Sequence, residues 1–447
     1  MKRRMRLHIT IVTLAAAFVI SAWLVKTLPE RDVQASLGDV QQGVYSPDPK
    51  DSWNIIFHHL FTRRVRARIT EDFPDSGPLV KANVPGFPQG LPVSTRILER
   101  IESGDHAIEP FYPSFITSVG IQEALNEPRF SQLKQALIAA LNEKKARPAL
   151  YRALMQADVW AAHDRLARIY LYRGGRATDL YDRASQLMPL LAQLVKKLAL
   201  TPDEINNLPD NYALAVKEYH LPNLFSPNSE WMEVRWVPNR LHDDAADFRR
   251  VARIFLKPSV PLENRQSFLD ALPNNHGDTP ELGSVALVIQ NVLIDSNGNA
   301  VPTRLTYEVQ MRTFKRDGQR RLVKTELNQY ELNRRLLLNG SQTGGMISLG
   351  EDAAMYLPTA GNDYGFATPQ RDQLGETLPI LATLRMRCNG CHGRPNAPAV
   401  FTFLMHPQEP IPPVMLLEQP NDKHARYVVG QKIDRADYKL LREQWSR

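Results

Sequence analysis

Leu305-Thr306-Tyr307-Glu308-Val309-Gln310-Met311-Arg312 alternates apolar and polar side chains without a break. Successive side chains of an extended strand point to opposite faces. The period of two therefore puts Leu305, Tyr307, Val309 and Met311 on a buried face and their neighbours on the other. Met232, Val234 and Trp236 alternate with Glu233 and Arg235 in the same way. Asn297-Gly298 separates the run Val285 to Ile294 from the Leu305 stretch, and Asp317-Gly318 leads into Leu322 to Leu327. Such dipeptides supply the backbone angles of tight hairpins, so an antiparallel meander of at least four strands is expected. Asp295-Ser296-Asn297-Gly298-Asn299 also resembles the opening of a calcium loop. It lacks the closing acidic ligand, and the next carboxylate, Glu308, falls in a strand, so a hairpin turn is the better reading.

Upstream the period lengthens. Leu133, Leu137 and Leu141 recur every four residues, and Leu150 and Leu154 continue the pattern after a break at Arg147-Pro148. Leu187, Leu190, Leu191, Leu194 and Leu198 form a further stripe, and helices packed on helices are expected from Arg129 to about Leu200. Thr201-Pro202-Asp203-Glu204 has the residues of a capping box with proline at the first helical position. Trp53 to Phe61 reads as the start of an amphipathic helix. Its adjacent His58 and His59 point about 100° apart, so at most one faces inward. His163, inside the helical block, reads as a solvated or locally bonded histidine. Glu71 to Pro113 and Asn339 to Gln373 are rich in glycine and proline and read as irregular. Leu374, Leu378, Leu381 and Leu384 make a helical stripe interrupted at Pro379, and a last helix is expected from about Arg435 to Trp445.

The fold class is therefore α+β: a helical region, an antiparallel β meander, and a C-terminal irregular and helical segment. The divisions fall at 1–26, 27–128 (linker and irregular or helical), 129–226 (helical), 227–345 (β) and 346–447. The first of these carries Lys2, Arg3, Arg4 and Arg6 before an apolar or small run from Ile9 to Val25. That pattern marks an export signal or a membrane anchor. Seventeen residues rise about 26 Å, a little short of a ~30 Å hydrocarbon core yet long for a signal, and an uncleaved anchor is favoured. Either way the basic end stays inside and the body is delivered across the membrane. The formal charge of +7 owes much to this segment, since without it 50 basic residues face 48 acidic ones. That near-balance removes the electrostatic footprint of a nucleic-acid binder.

Both cysteines of the chain lie in Cys388-Asn389-Gly390-Cys391-His392. In C-x-x-C-H the two thiols can each add to one vinyl group of a haem, with the histidine as proximal iron ligand. Here the sequence resembles the c-type cytochromes, over these five residues and the following Gly393 and Arg394. The resemblance implies one covalent haem c, held by Cys388 and Cys391, with His392 on the iron. A structural zinc site would need a second ligand pair, which this sequence does not offer near the first.

Met405 and Met415 are the leading distal ligands, with His406, His424, His58 and His59 as alternatives that would lower the potential. Arg385, Arg387 and Arg394 are placed to neutralise propionates. The family pattern also implies a compact helical domain that begins near the motif. Only a short, proline-rich tail follows His392, so the haem is expected at a seam whose walls come partly from upstream. Three functions compete: electron transfer with redox partner proteins, a haem-dependent oxidoreductase of peroxidase-like type, and a haem-based sensor or binding protein. A di-haem peroxidase would need a second C-x-x-C-H. The balance favours a membrane-tethered, extracytoplasmic electron carrier.

Overall fold

The computed structural model describes residues 43–61, 63–65, 79–81, 92–94, 109–111, 124–171, 179–236, 250–259, 267–270, 282–319, 322–349, 354–357, 380–383, 414–416, 425–427, 429–430 and 433–445. Helix α1 (Ser52–Phe61) comes first. It is followed by four short strands, β1 (Arg63–Val65), β2 (Leu79–Lys81), β3 (Pro92–Ser94) and β4 (Glu109–Phe111), which pair as β1 with β4 and β2 with β3. A helical block follows: α2 (Arg129–Asn142), α3 (Ala149–Leu171), α4 (Asp179–Lys197), α5 (Pro202–Asn206) and α6 (Asn211–Tyr219). Then come β5 (Met232–Trp236), β6 (Arg250–Pro258), β7 (Leu282–Ile294), β8 (Ala300–Arg316), β9 (Leu322–Leu332), α7 (Arg334–Leu338), β10 (Met346–Leu349), β11 (Ala354–Leu357), β12 (Ile380–Thr383), β13 (Val414–Leu416) and α8 (Ala436–Gln444). The chain is α+β, with one sheet of seven strands in the order β10-β9-β8-β7-β6-β5-β13, every neighbour antiparallel.

The turn chemistry read from the sequence is realised locally. The Asp295 carboxylate accepts from the amides of Asn297 (2.9 Å) and Asn299 (2.7 Å), and Gly298 takes a φ of 80°, closing the β7–β8 hairpin. At Asp317 the carboxylate accepts from the Gln319 amide before β9. The Thr201 capping box is complete, with Oγ1 accepting from the Glu204 amide and the Glu204 carboxylate accepting from the Thr201 amide.

Three stretches differ from the periodicity. Residues 380–383 lie in β12, paired with β11, and not in a helix. Pro379 lacks the amide a continuing helix needs, and Ala354–Leu357 offers a strand partner. The stretch 339–373, read as irregular, supplies β10 and β11, and short strands also occur between 71 and 113. The main sheet draws β10 and β13 from the stretch after residue 345.

Helices α3, α4 and α8 pack together on one face of the sheet, with α1 and α2 against them and α6 against β8 and β10. Leu133, Leu137, Leu187, Leu191 and Leu194 join Val288, Val292, Leu305, Tyr307 and Val309 in one core. On the opposite face Met232, Val234, Ile254, Leu256, Val285 and Phe314 form a second, smaller core. The Lys197 ammonium closes the C-terminus of α2, donating to the carbonyls of Ala140, Leu141 and Glu143.

The helical layer is stitched to the sheet at Asn211. Pairing between β8 and β9 begins at Glu308, and just before it the backbone of Thr306 turns to the Asn211 side chain instead. Oδ1 accepts from the Thr306 amide (2.7 Å) and Nδ2 donates to its carbonyl (2.8 Å), imitating a strand neighbour. Gly344, at φ +64°, lets the α6 backbone come close: a Cβ there would sit 2.5 Å from the Asn211 carbonyl. Asn211 is fully buried, so truncation strands two buried backbone groups. Asn211→Ala is expected to lower the unfolding free energy by about 2–4 kcal/mol in urea denaturation, whereas exposed Asn339→Ala stays within about 0.5 kcal/mol.

Candidate functional site

Residues 153–164 of α3 are buried on every side of the helix. Four of them, Gln156, Asp158, His163 and Asp164, are polar. A buried polar group is unfavourable unless it is paired, so these side chains mark where α3 must be met by other elements. Gln156 donates to the carbonyls of Val195 in α4 and Ile294 in β7, both at 3.0 Å, and accepts from the Ile294 amide at 2.8 Å.

Asp158 is the charged centre. Its Oδ1 accepts from Nε and Nη2 of Arg334 (3.0 and 2.6 Å), and its Oδ2 accepts from the Tyr45 hydroxyl. The loop carrying Tyr45 is fixed by Asn54 of α1, whose Oδ1 accepts from the Tyr45 amide while Nδ2 donates to the carbonyls of Ser46 and Asp48. The Arg334 guanidinium lies near three rings, with Phe61 at 4.7 Å, Phe57 at 5.3 Å and Tyr307 at 5.8 Å. Burial, reinforced by the Asp158 carboxylate, holds the Tyr45 phenol well above its ordinary range, so it remains a neutral donor. For Arg334, burial pulls the pKa down, but Asp158 overrides it and the net direction is up. Among the described residues the group is a buried ion pair in which both Asp158 oxygens are engaged, one by Arg334 and the other by Tyr45.

A second buried pair lies near the β5 edge. Glu233 accepts from Arg253 in a bidentate arrangement (2.7 and 2.8 Å), with Gln290 Oε1 at 3.4 Å from Nη1 and the Phe225 ring 4.5 Å from the guanidinium. On the other side of β5 runs β13, where Met415 is in register with Arg235. This is where the structure places one of the two distal-ligand candidates. Cys388, Cys391, His392 and Met405 lie outside the described residues, as do His406, His424, Arg385, Arg387 and Arg394. The described strands on either side of the motif are β12, paired with β11, and β13, which joins the main sheet at β5.

Of the α1 histidines, His59 is buried and His58 exposed, as their angular separation requires. Burial, then His58 and Arg129, lower the His59 pKa to about 4, which keeps the ring neutral, and among the described residues its Nδ1 has no hydrogen-bond partner. His163 corrects the sequence reading. It is fully buried, and its partner is Gln444 of α8 (2.9 Å), far away in sequence.

Two thiols and an imidazole within five residues match the two vinyl groups and one axial position of a haem, so the donor set fits covalent haem on its chemistry. Among the described residues no group of three or more His, Cys, Asp or Glu side chains is arranged to hold a metal ion. Nor is any described helix long and apolar enough to cross a membrane; the run Ile9 to Val25 is outside them. Comparison with known proteins finds no matching family model, no matching curated protein and no matching solved structure.

The Tyr45–Asp158–Arg334 and Glu233–Arg253 groups escaped the sequence reading. For the first, a signal existed: Gln156, Asp158, His163 and Asp164 interrupt the otherwise apolar stretch 153–164 on several faces, the pattern of a helix segment buried all round. For Glu233 there was none, because in the alternating run Met232 to Trp236 it reads as solvent-facing.

Removing one partner of a buried ion pair leaves an uncompensated charge. Arg334→Met is expected to lower stability by about 3–5 kcal/mol in urea denaturation. The double variant Asp158→Leu with Arg334→Met is expected to lose less than the sum of the two single losses. Additive losses would show that the pair is not coupled.

Proposed function

We propose that the chain is a mono-haem c-type cytochrome that transfers electrons outside the cytoplasm while tethered to the membrane by its N-terminal segment. The observation that carries this reading is the placing of the only two cysteines of the chain as Cys388-Asn389-Gly390-Cys391-His392, behind an export or anchor segment at residues 1–26. Cys388 and Cys391 would hold the haem through thioethers, each S–H adding across one vinyl group, and His392 would supply an imidazole nitrogen to the iron. When bound, the haem supplies one-electron redox chemistry.

What the chain itself contributes is attachment, a proximal ligand and a distal one, Met405 or Met415. A thioether favours the ferrous state and raises the potential, whereas a histidine in its place lowers it. The return of β13 to the sheet edge supports a haem segment held against the larger body instead of one forming an independent domain.

The alkaline pyridine spectrum of protein matured with haem-attachment machinery is expected to be that of a haem with two thioether links. A free-haem spectrum would sink the assignment. The reduced protein is expected to resist carbon monoxide, as a six-coordinate carrier does; ready binding would move the reading to an oxidoreductase or gas sensor with an open iron position. Either Met405→Ala or Met415→Ala is expected to abolish the near-infrared sulfur-to-iron band, and persistence of the band in both would exclude both residues.

A further inference from the structure

Helix α8 is the last described element, and it sits against α3 and α4 through Tyr438 and Leu441. Among the described residues, three polar contacts tie it to the layer beneath. Gln444 meets His163, Tyr438 Oη donates to the Gly298 carbonyl at 3.4 Å, and Lys196 of α4 reaches the Trp445 carbonyl at 3.5 Å. An amide oxygen only accepts, so His163 carries its proton on Nε2 and leaves Nδ1 as a bare acceptor. Nδ1 is buried, and among the described residues no group faces it within hydrogen-bond distance. A second proton on this ring would put an N–H and a full charge where neither can be satisfied.

The charged groups on the surrounding elements do not relieve that. Asp437 of α8 favours the protonated ring, but its carboxylate is held by Arg435 at 2.7 Å. Asp295, on the β7–β8 turn under α8, is occupied by the amides of its own turn. Lys196 is a cation and turns to Trp445, and on α3 itself Asp158 is closed by Arg334 and Tyr45, while Asp164, the next residue, projects about 100° round the helix from His163. Helix α8 supplies the side chain that meets the ring, so local opening of α8 is the motion that hydrates the imidazolium.

We propose that His163 is an acid-operated latch for α8: neutral, it holds the helix through Gln444; protonated, it drives the helix off α3 and α4. This inference does not rest on the haem. Burial first, opposed by Gln444 and Asp437, lowers the pKa of the closed state to about 4, against 6.5 for a free imidazole. Opening therefore takes up a proton. The closed state is fully favoured above about pH 6.5, it weakens as pH falls from there, and the loss levels off near pH 4.

Hydrogen exchange of the amides 436–444 in the full chain, corrected for intrinsic rates, tests this. Between pH 7.5 and 5, α8 protection is expected to fall roughly 30-fold while the α4 amides 187–195 keep theirs. His163→Gln retains a donor to Gln444 and cannot titrate, so its α8 protection is expected to be independent of pH. Gln444→Glu places a carboxylate against the ring and is expected to keep α8 closed at pH 5, which tests the latch even if His163→Gln fails to fold. Flat α8 protection in the native sequence, the native pH dependence surviving in His163→Gln, or equal loss in α4 would each overturn the proposal.

Discussion

Helix α3 has no solvent face from Ala153 to Asp164, and much of the described architecture follows from that constraint. An apolar helix could satisfy it with packing alone. This one carries Gln156, Asp158 and His163 inward, and each needs a partner from a different part of the chain. Gln156 takes α4 and β7, Asp158 takes the Tyr45 loop and α7, and His163 takes α8. The polar side chains act as addresses: apolar surfaces slide past one another at little cost, but a carboxylate that must meet a guanidinium fixes where α7, and hence the end of β9, can sit. Buried ion pairs add little net stability over apolar packing. Their value here is in specifying one arrangement of elements far apart in sequence.

The sheet obeys the same logic. Arg253 and Glu233 sit on the face toward the helices, neutralised in bidentate fashion and covered by Phe225. One step further out, β5 receives β13, the strand that follows the C-x-x-C-H stretch. In the proposed function the body serves as support, and the redox chemistry belongs to a short segment that leaves from β12 and rejoins the sheet at β13. A cofactor attached through two side chains needs no large pocket of dedicated residues to retain it, which suits a chain whose described residues are occupied with holding one another.

The fold was legible where one local rule decided it. Alternation at Leu305 to Arg312, the Asn297-Gly298 and Asp317-Gly318 turns, the leucine stripes between Leu133 and Leu198 and the Thr201 box each act over a few residues, and each is realised. It was illegible where partners are remote. Leu381 fits a helical stripe as well as a strand, and only Tyr356 and its neighbours across the ladder decide for the strand. His163 reads as a solvated or locally bonded histidine until α8, nearly three hundred residues later, closes over it. Of the candidate site, the attachment residues were legible because C-x-x-C-H is itself a local rule. The distal ligand was not, because any methionine or histidine that the fold returns to the iron will serve.

The most direct test of the central claim is the intact mass of the protein after maturation, measured under denaturing conditions that release any haem not covalently bound. The account predicts a gain of one haem, reduced to none in Cys388→Ser with Cys391→Ser. An unshifted mass in the native sequence would contradict it.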